Sequence, residues 1–135
     1  MNIICVDNSR LTLFSLRRMI GRIVPEACVF SSCSLKKAVE TARKNYCDVL
    51  LTDIDIGGRE NGGIDLARRI REMNPKVNII FITNCPESDY AKDVLQIRFS
   101  GYLHKPCKQD ELAGEFANLR YPVPARTRMN ETHEI

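Results

Sequence analysis

Short apolar runs and amphipathic stretches take turns along this chain. The first run, Asn2–Val6, stops at Asp7. Arg10–Ile23 follows, with Leu13, Leu16, Ile20 and Ile23 at helical spacing and Pro25 closing the stretch. Residues 27–31 predict a second, weaker strand. Ser34 then offers an N-cap for a helix carrying Leu35, Ala38, Ala42 and Tyr46 on one face. Residues 48–52, Asp-Val-Leu-Leu-Thr, predict a buried strand, with a loop over 54–63 after it. A third helix is expected over 64–73, with Ile64, Ala67, Ile70 and Met73 inward, ending before Pro75. Residues 78–82 are β-branched and aromatic, as a buried strand requires, and 88–98 predict a fourth helix. Gly101–His104 is a short strand stopping at Lys105-Pro106, and 109–119 is a last helix with Leu112, Phe116 and Leu119 inward.

Five strands alternating with five helices over short connections imply a parallel sheet covered on both faces. Right-handed crossovers narrow this to an α/β, doubly wound five-stranded parallel sheet of order 2-1-3-4-5, a flavodoxin-like (βα)5 sandwich. One domain is expected over 1–120. Residues 121–135, with Pro122, Pro124 and little periodicity, read as a polar tail or the start of a linker.

The chemistry sits where the apolar runs stop. Asp7, Asp53, Thr83 and Lys105 each follow or close such a run. Parallel strands reached by helical crossovers end on one edge, and ligands bind outside those ends. In the 2-1-3-4-5 order the first and third strands flank the topological switch point, so Asp7 and Asp53 face each other. An aspartate at a strand end is often only a turn former; what raises Asp53 above that is its company. Packed carboxylates repel by up to ~4 kcal/mol per pair at 4 Å and an effective dielectric of 20. A hard cation such as Mg²⁺ offsets this, taking one or two carboxylates with waters and phosphate oxygens.

Composition narrows the alternatives. The net charge of +3, from 20 basic and 17 acidic residues, gives no reason to invoke nucleic acid or a membrane surface. Arg17–Arg18 and Arg68–Arg69 read as solvated helix faces. No apolar run approaches the ~20 residues that span a bilayer. The start lacks a basic region and meets Asp7 too early for a signal peptide, so the expected location is cytoplasmic, with no membrane partner. Six cysteines form no C-x-x-C pair, which argues against structural zinc and for small buried hydrophobes. Cys85 and Cys107 are expected to flank the pocket. A thiol pKa lowered by Lys105 would make them redox sensors, and plain packing is the preferred reading.

Four stretches carry a resemblance: Ile3-Ile4-Cys5-Val6-Asp7-Asn8, Leu50-Leu51-Thr52-Asp53-Ile54-Asp55, Ile80-Phe81-Ile82-Thr83-Asn84 and Gly101-Tyr102-Leu103-His104-Lys105-Pro106. In order and in strand context, they resemble the signature stretches of two-component response-regulator receiver domains, the CheY-like family, over residues 2–119. The resemblance implies that Asp53 accepts a phosphoryl group from a sensor histidine kinase with Mg²⁺ or Mn²⁺, and that the chain is not a turnover enzyme. It implies metal ligation by Asp7, Asp53 and the Asp55 carbonyl, phosphoryl contacts from Lys105 and Thr83, and a switch aromatic at Tyr102. It also implies a cis Lys105–Pro106 bond. The face formed by the fourth helix, fifth strand and fifth helix would respond. Output would pass to a C-terminal or separate DNA-binding domain, or to a phosphorylation-dependent homodimer.

Two features depart from the family pattern. Asn8 stands where a second acid, a direct metal ligand, is usual. Its amide oxygen can ligate Mg²⁺ with one charge fewer, or Asn8 serves only to cap the first helix. The loop over 54–63 is about two residues longer than usual, lacks the family's proline, and carries four glycines that predict flexibility. It reads as a surface insertion ahead of a gate over the metal. Two rival functions stay open. Asp53-Ile54-Asp55 also resembles the nucleophile motif of haloacid-dehalogenase-type phosphatases, although the later acidic pair of that family is missing. A pseudo-receiver that takes no phosphate rests on Asn8 alone.

Overall fold

Side-chain alternation along each strand sets the layers. The computed structural model describes residues 1–124 and 131–134. It places β1 (Asn2–Val6) between β2 (Cys28–Ser32) and β3 (Val49–Thr52), all parallel. β4 (Asn78–Thr83) and β5 (Gly101–His104) continue the sheet beyond β3. Ile4 and Val6 join a core with Phe30, Leu50 and Phe81 on one face. Ile3 and Cys5 join a second core with Val29, Leu51 and Ile80 on the other. The first core lies under α2 (Leu35–Lys44), α3 (Gly62–Met73) and α4 (Ala91–Ile97). The second lies under α1 (Arg10–Ile23) and α5 (Gln109–Ala117). Every residue of β1, β3 and β4 is buried, which is why these runs read as continuously apolar. Each buried aliphatic side chain contributes roughly 1.5–3 kcal/mol.

The order 2-1-3-4-5 is the one the alternation predicts, and a sixth strand extends it. β6 (Glu131–Glu134) pairs in parallel with β2, Cys28 opposite Glu131 and Ser31 opposite Glu134. Its sequence, Glu-Thr-His-Glu, has no apolar position; an edge strand needs only backbone partners, and such a strand covers the open edge of β2. Residues 125–130 and 135 of the expected tail lie outside the described residues. Its start is anchored: the Asn78 side chain accepts from the Tyr121 N–H and donates to the Tyr121 carbonyl, both at 2.8 Å. The Arg71 guanidinium lies 5.2 Å from the Tyr121 ring centre.

Three expectations about helices need correction. Tyr46 falls beyond the C-cap Asn45 and is 53% exposed; its hydroxyl donates to Asn74 at 2.7 Å instead of filling the core. Met73 is 37% exposed. At 3.6 residues per turn, three successive steps of three residues carry it about half a turn away from Ile64. The stretch over 88–98 is not one helix. A 3₁₀ turn over Glu87–Asp89 ends at Tyr90, whose φ of −126° and ψ of 11° interrupt the helix before α4. Arg98 then stops α4 in the left-handed region at φ 59°, and Arg71 donates to the Ile97 and Arg98 carbonyls at 3.2 and 3.1 Å.

Candidate functional site

The carboxyl ends of β1, β3 and β5 bring three charged groups to one point. Asp7, just past β1, is 2% exposed. Its Oδ1 accepts from the Ser9 N–H at 2.8 Å, and its Oδ2 lies 2.7 Å from Lys105 Nζ. Asp53, just past β3, is oriented by the Ile54 N–H, which donates to its Oδ1 at 2.7 Å. The Asp53 Oδ2 accepts from the same Lys105 Nζ at 2.6 Å. Lys105 is aimed by the strand pairing that continues past β5, where its N–H donates to the Thr83 carbonyl at 3.0 Å; the Lys105–Pro106 peptide is cis. Burial alone would lower the Lys105 pKa. Hydrogen bonds and charge from Asp53 and Asp7 outweigh it, and the net shift is upward.

Thr83 is fully buried, and its hydroxyl accepts from the Cys85 N–H at 3.3 Å. Tyr102 is half-buried beside it. Its hydroxyl donates to the Cys85 carbonyl at 2.7 Å, and its ring lies 6.0 Å from that of Phe81. Thr83 and Tyr102 thus hold the same two-residue corner after β4. Burial pushes the Tyr102 hydroxyl pKa well up. The ring of His104, an exposed residue, stands edge-on to Tyr102 at 5.8 Å.

Asp55 is exposed, its Oδ1 accepting from the Asn61 N–H at 3.2 Å and its Oδ2 from Cys85 Sγ at 3.5 Å. Asn8 does not cap α1. That role belongs to Ser9, whose Oγ accepts from the Thr12 N–H. The Asn8 amide instead reaches the loop after β3. Its Oδ1 accepts from the Gly57 N–H at 3.0 Å, and its Nδ2 points to the Asp55 carbonyl at 3.5 Å.

Each glycine of that loop meets a geometric requirement. Gly57 and Gly58 take φ of 68° and 70°, both in the left-handed region that a tight hairpin turn demands. Ile56 and Arg59 bond to each other across it at 3.2 and 3.1 Å, and Ile56 is fully buried. At Gly63 a Cβ would collide with the Asp53 carbonyl. The glycines are there for two special φ values and two close approaches, Gly62 against the Ile56 carbonyl and Gly63 against the Asp53 carbonyl.

Among the described residues no three His, Cys, Asp or Glu side chains gather as a metal cluster. The pocket offers two carboxylates, Asp7 and Asp53, joined through Lys105 Nζ; the Asp55 carbonyl lies 3.5 Å from the side-chain amide of Asn8, the neighbour of Asp7, and all three are hard oxygen donors. Such a set fits Mg²⁺, which needs one or two carboxylates and completes its shell with water and phosphate.

The thiols depart from the redox alternative. Burial, aided by Glu111, Glu115 and Asp110, pushes Cys107 up to about 11. Burial also raises Cys85, with Asp55 adding to the rise and a Thr83 hydrogen bond opposing it. The Lys105 ammonium that was to lower them is committed to the two carboxylates. All six cysteines are free; Cys5, Cys28 and Cys47 are buried and the other three half-buried.

Sequence reasoning missed an apolar surface on α1. Leu11 is 78% exposed. It lines a cavity of about 300 Å³ with Leu16, Met19, Ile82 and Pro106, and Lys105 sits at its margin. The signal was available, because Leu11 lies off the inward stripe of Leu13, Leu16 and Ile20.

Comparison with known proteins agrees with this geometry. A family model described as the response regulator receiver domain matches residues 3–117. The chain is 30% identical over 118 residues to the response regulator UvrY of Escherichia coli, covering 87% of this chain and 53% of that one. It is 26% identical over 126 residues to the response regulator GacA of Pseudomonas viridiflava, covering 90% and 58%. A response regulator receiver domain protein from Clostridium thermocellum matches with a TM-score of 0.75 at 21% identity, covering 87% of this chain and 91% of the other. The chain thus spans little more than half the length of either curated relative.

Proposed function

The chain belongs to the response regulator receiver domain family, and on that premise we propose that it is a switch that accepts a phosphoryl group on Asp53 from a sensor histidine kinase. One observation carries the reading: a single ammonium lies within 2.7 Å of both Asp7 and Asp53. In the transfer, an oxygen of Asp53 forms a bond to phosphorus as the donor's bond to phosphorus breaks. The protein supplies position and charge. Lys105 turns from the Asp53 carboxylate to a phosphoryl oxygen, and Thr83 gives up the Cys85 N–H to donate its hydroxyl to another. Asp7, Asp53 and the Asp55 carbonyl, with Asn8 at the margin, would hold Mg²⁺ or Mn²⁺, which would supply charge neutralisation for the incoming group. The new group adds about −1.5 to −2 charges and three acceptor oxygens. Because Tyr102 is tied to the Cys85 carbonyl, a shift of that corner moves Tyr102 and, with it, α4, β5 and α5.

The apolar cavity at Leu11 beside Lys105 supplies a landing surface for the kinase. The part of the relatives that lies beyond this match supports an output module, DNA-binding and either C-terminal or separate, with 1–120 as the receiver and 121–135 as a tail or linker of which 131–134 pairs with the receiver's sheet. A phosphorylation-dependent homodimer is the other route to output. Among the described residues no helix is long and apolar enough to cross a membrane; the proposed location is cytoplasmic.

Intact-mass measurement after incubation with acetyl phosphate and Mg²⁺ tests the reading. One added phosphoryl group, lost in Asp53→Asn, is expected. Absence of the adduct in the native protein would support a pseudo-receiver. Repeated turnover of a generic phosphate ester would instead favour the phosphatase reading.

A further inference from the structure

We infer that Asn8 is a positioning residue: it ties the hairpin over 56–59 to the rim of the pocket and so presents the Asp55 carbonyl. The inference rests on the receiver reading, because the presented carbonyl matters only if the pocket holds a cation. Asn8 is an exposed residue and is not needed as a helix cap, since Ser9 fills that role. Its amide has two ends, and both meet one short stretch of backbone: Oδ1 takes the Gly57 N–H at 3.0 Å, and Nδ2 faces the Asp55 carbonyl at 3.5 Å. A side-chain amide accepts at one end and donates at the other, which a carboxylate cannot do. An aspartate at this position keeps the first bond and loses the second.

The rest of the hairpin is built so that this tie sets its position. The left-handed pair Gly57 and Gly58 and the reciprocal Ile56–Arg59 backbone bonds make it a stiff unit. Buried Ile56 fixes its inner end, and Arg59 pairs with Asp65 at 3.1 Å on the outer side. Between them, Asn8, Asp55, Ile56, Gly58, Arg59 and Glu60 line a cavity of about 230 Å³. The Asp55 side chain is held by the Asn61 N–H and Cys85, which leaves its carbonyl to be set from the other side of the loop. Asn8 makes the contact there. The pocket gives up the charge of a second acid at position 8, and a carbonyl held by this tie leaves less ordering to be done when a cation arrives.

Amide exchange followed by NMR in chelator, joined to Mg²⁺ titration of the same samples, tests this. Gly57 is exposed, so its amide is protected only through Asn8. In Asn8→Ala its exchange should quicken roughly three- to tenfold, as loss of one hydrogen bond allows, while Asn8→Asp keeps the protection. The Mg²⁺ midpoint, read from chemical shifts and from acetyl phosphate labelling, should rise by a similar factor in Asn8→Ala. It should move more than the labelling plateau does. Unchanged Gly57 exchange in Asn8→Ala overturns the inference, as does a midpoint that stays or falls. If the native protein takes no label, the phosphoacceptor reading fails, yet Gly57 exchange and the shift titration still decide the role of Asn8.

Discussion

Replacing Lys105 by methionine removes the one cation between two carboxylates while keeping most of the side-chain bulk. Asp7 is buried and Asp53 nearly so, and both accept from the same nitrogen at 2.7 and 2.6 Å. Oxygens that share one donor lie about 4–5 Å apart. Two unit charges there repel by about 3–4 kcal/mol at an effective dielectric of 20. Breaking a buried pair by removing one partner costs about 3–5 kcal/mol. Lys105 keeps 17% of its side-chain surface in water, so the lower end applies, and a loss of about 3 kcal/mol is expected. Urea unfolding in chelator measures it through the midpoint. Titrating Mg²⁺ into both proteins should then restore at least 1 kcal/mol to Lys105→Met and less to the native chain, because binding to the folded state alone stabilises it by mass action. Equal midpoints in chelator, or equal gains from Mg²⁺, would mean that the two carboxylates do not share a pocket with Lys105.

Three further expectations follow from the same coordinates. The raised Lys105 pKa means that its contribution to stability is complete below its ordinary value of 10.5 and fades as pH climbs through the higher folded value; unfolding midpoints of the native chain should therefore fall above pH 10.5 more steeply than those of Lys105→Met. With Cys107 pushed up to about 11, about one thiol in a thousand is ionised at pH 8. Its iodoacetamide alkylation rate, followed by peptide mass, should still be climbing between pH 9 and 10, and a plateau by pH 9 refutes the assignment. Asn78→Ala leaves the Tyr121 N–H and carbonyl without their side-chain partner. It should lower stability by about 1–3 kcal/mol and speed tryptic cleavage after Arg120; unchanged cleavage would show that the clamp does not hold the segment.

The parts of this molecule that sequence made legible are those governed by long-range periodicity. A strand buried on both faces must be apolar throughout, so β1, β3 and β4 announced themselves, and with them the strand ends at Asp7, Asp53 and Lys105. Helix stripes were legible where three residues sufficed, as at Leu13, Leu16 and Ile20. They misled where a three-residue step was repeated too often, as at Met73. What stayed hidden was set by single contacts. Tyr90 breaks the fourth helix through its own backbone angles, and no pattern in 88–98 foretells that. β6 is placed by its backbone pairing with β2, and Glu-Thr-His-Glu carried no pattern that announces a strand.

The loop after β3 is the instructive failure, because composition and geometry there point opposite ways. Four glycines in nine residues read as freedom. Yet a left-handed φ is a requirement at Gly57 and Gly58, and the absence of a side chain is a requirement at Gly63, where the chain passes against the Asp53 carbonyl. A glycine chosen because no other residue fits marks a place where the backbone is held. All three of these glycines lie within ten residues of Asp53, on the segment that bears the Asp55 carbonyl. The lengthened, glycine-rich loop beside this pocket thus follows a backbone path that only glycine allows at these positions, and the residue at position 8 and the added hairpin meet in the Asn8–Gly57 bond.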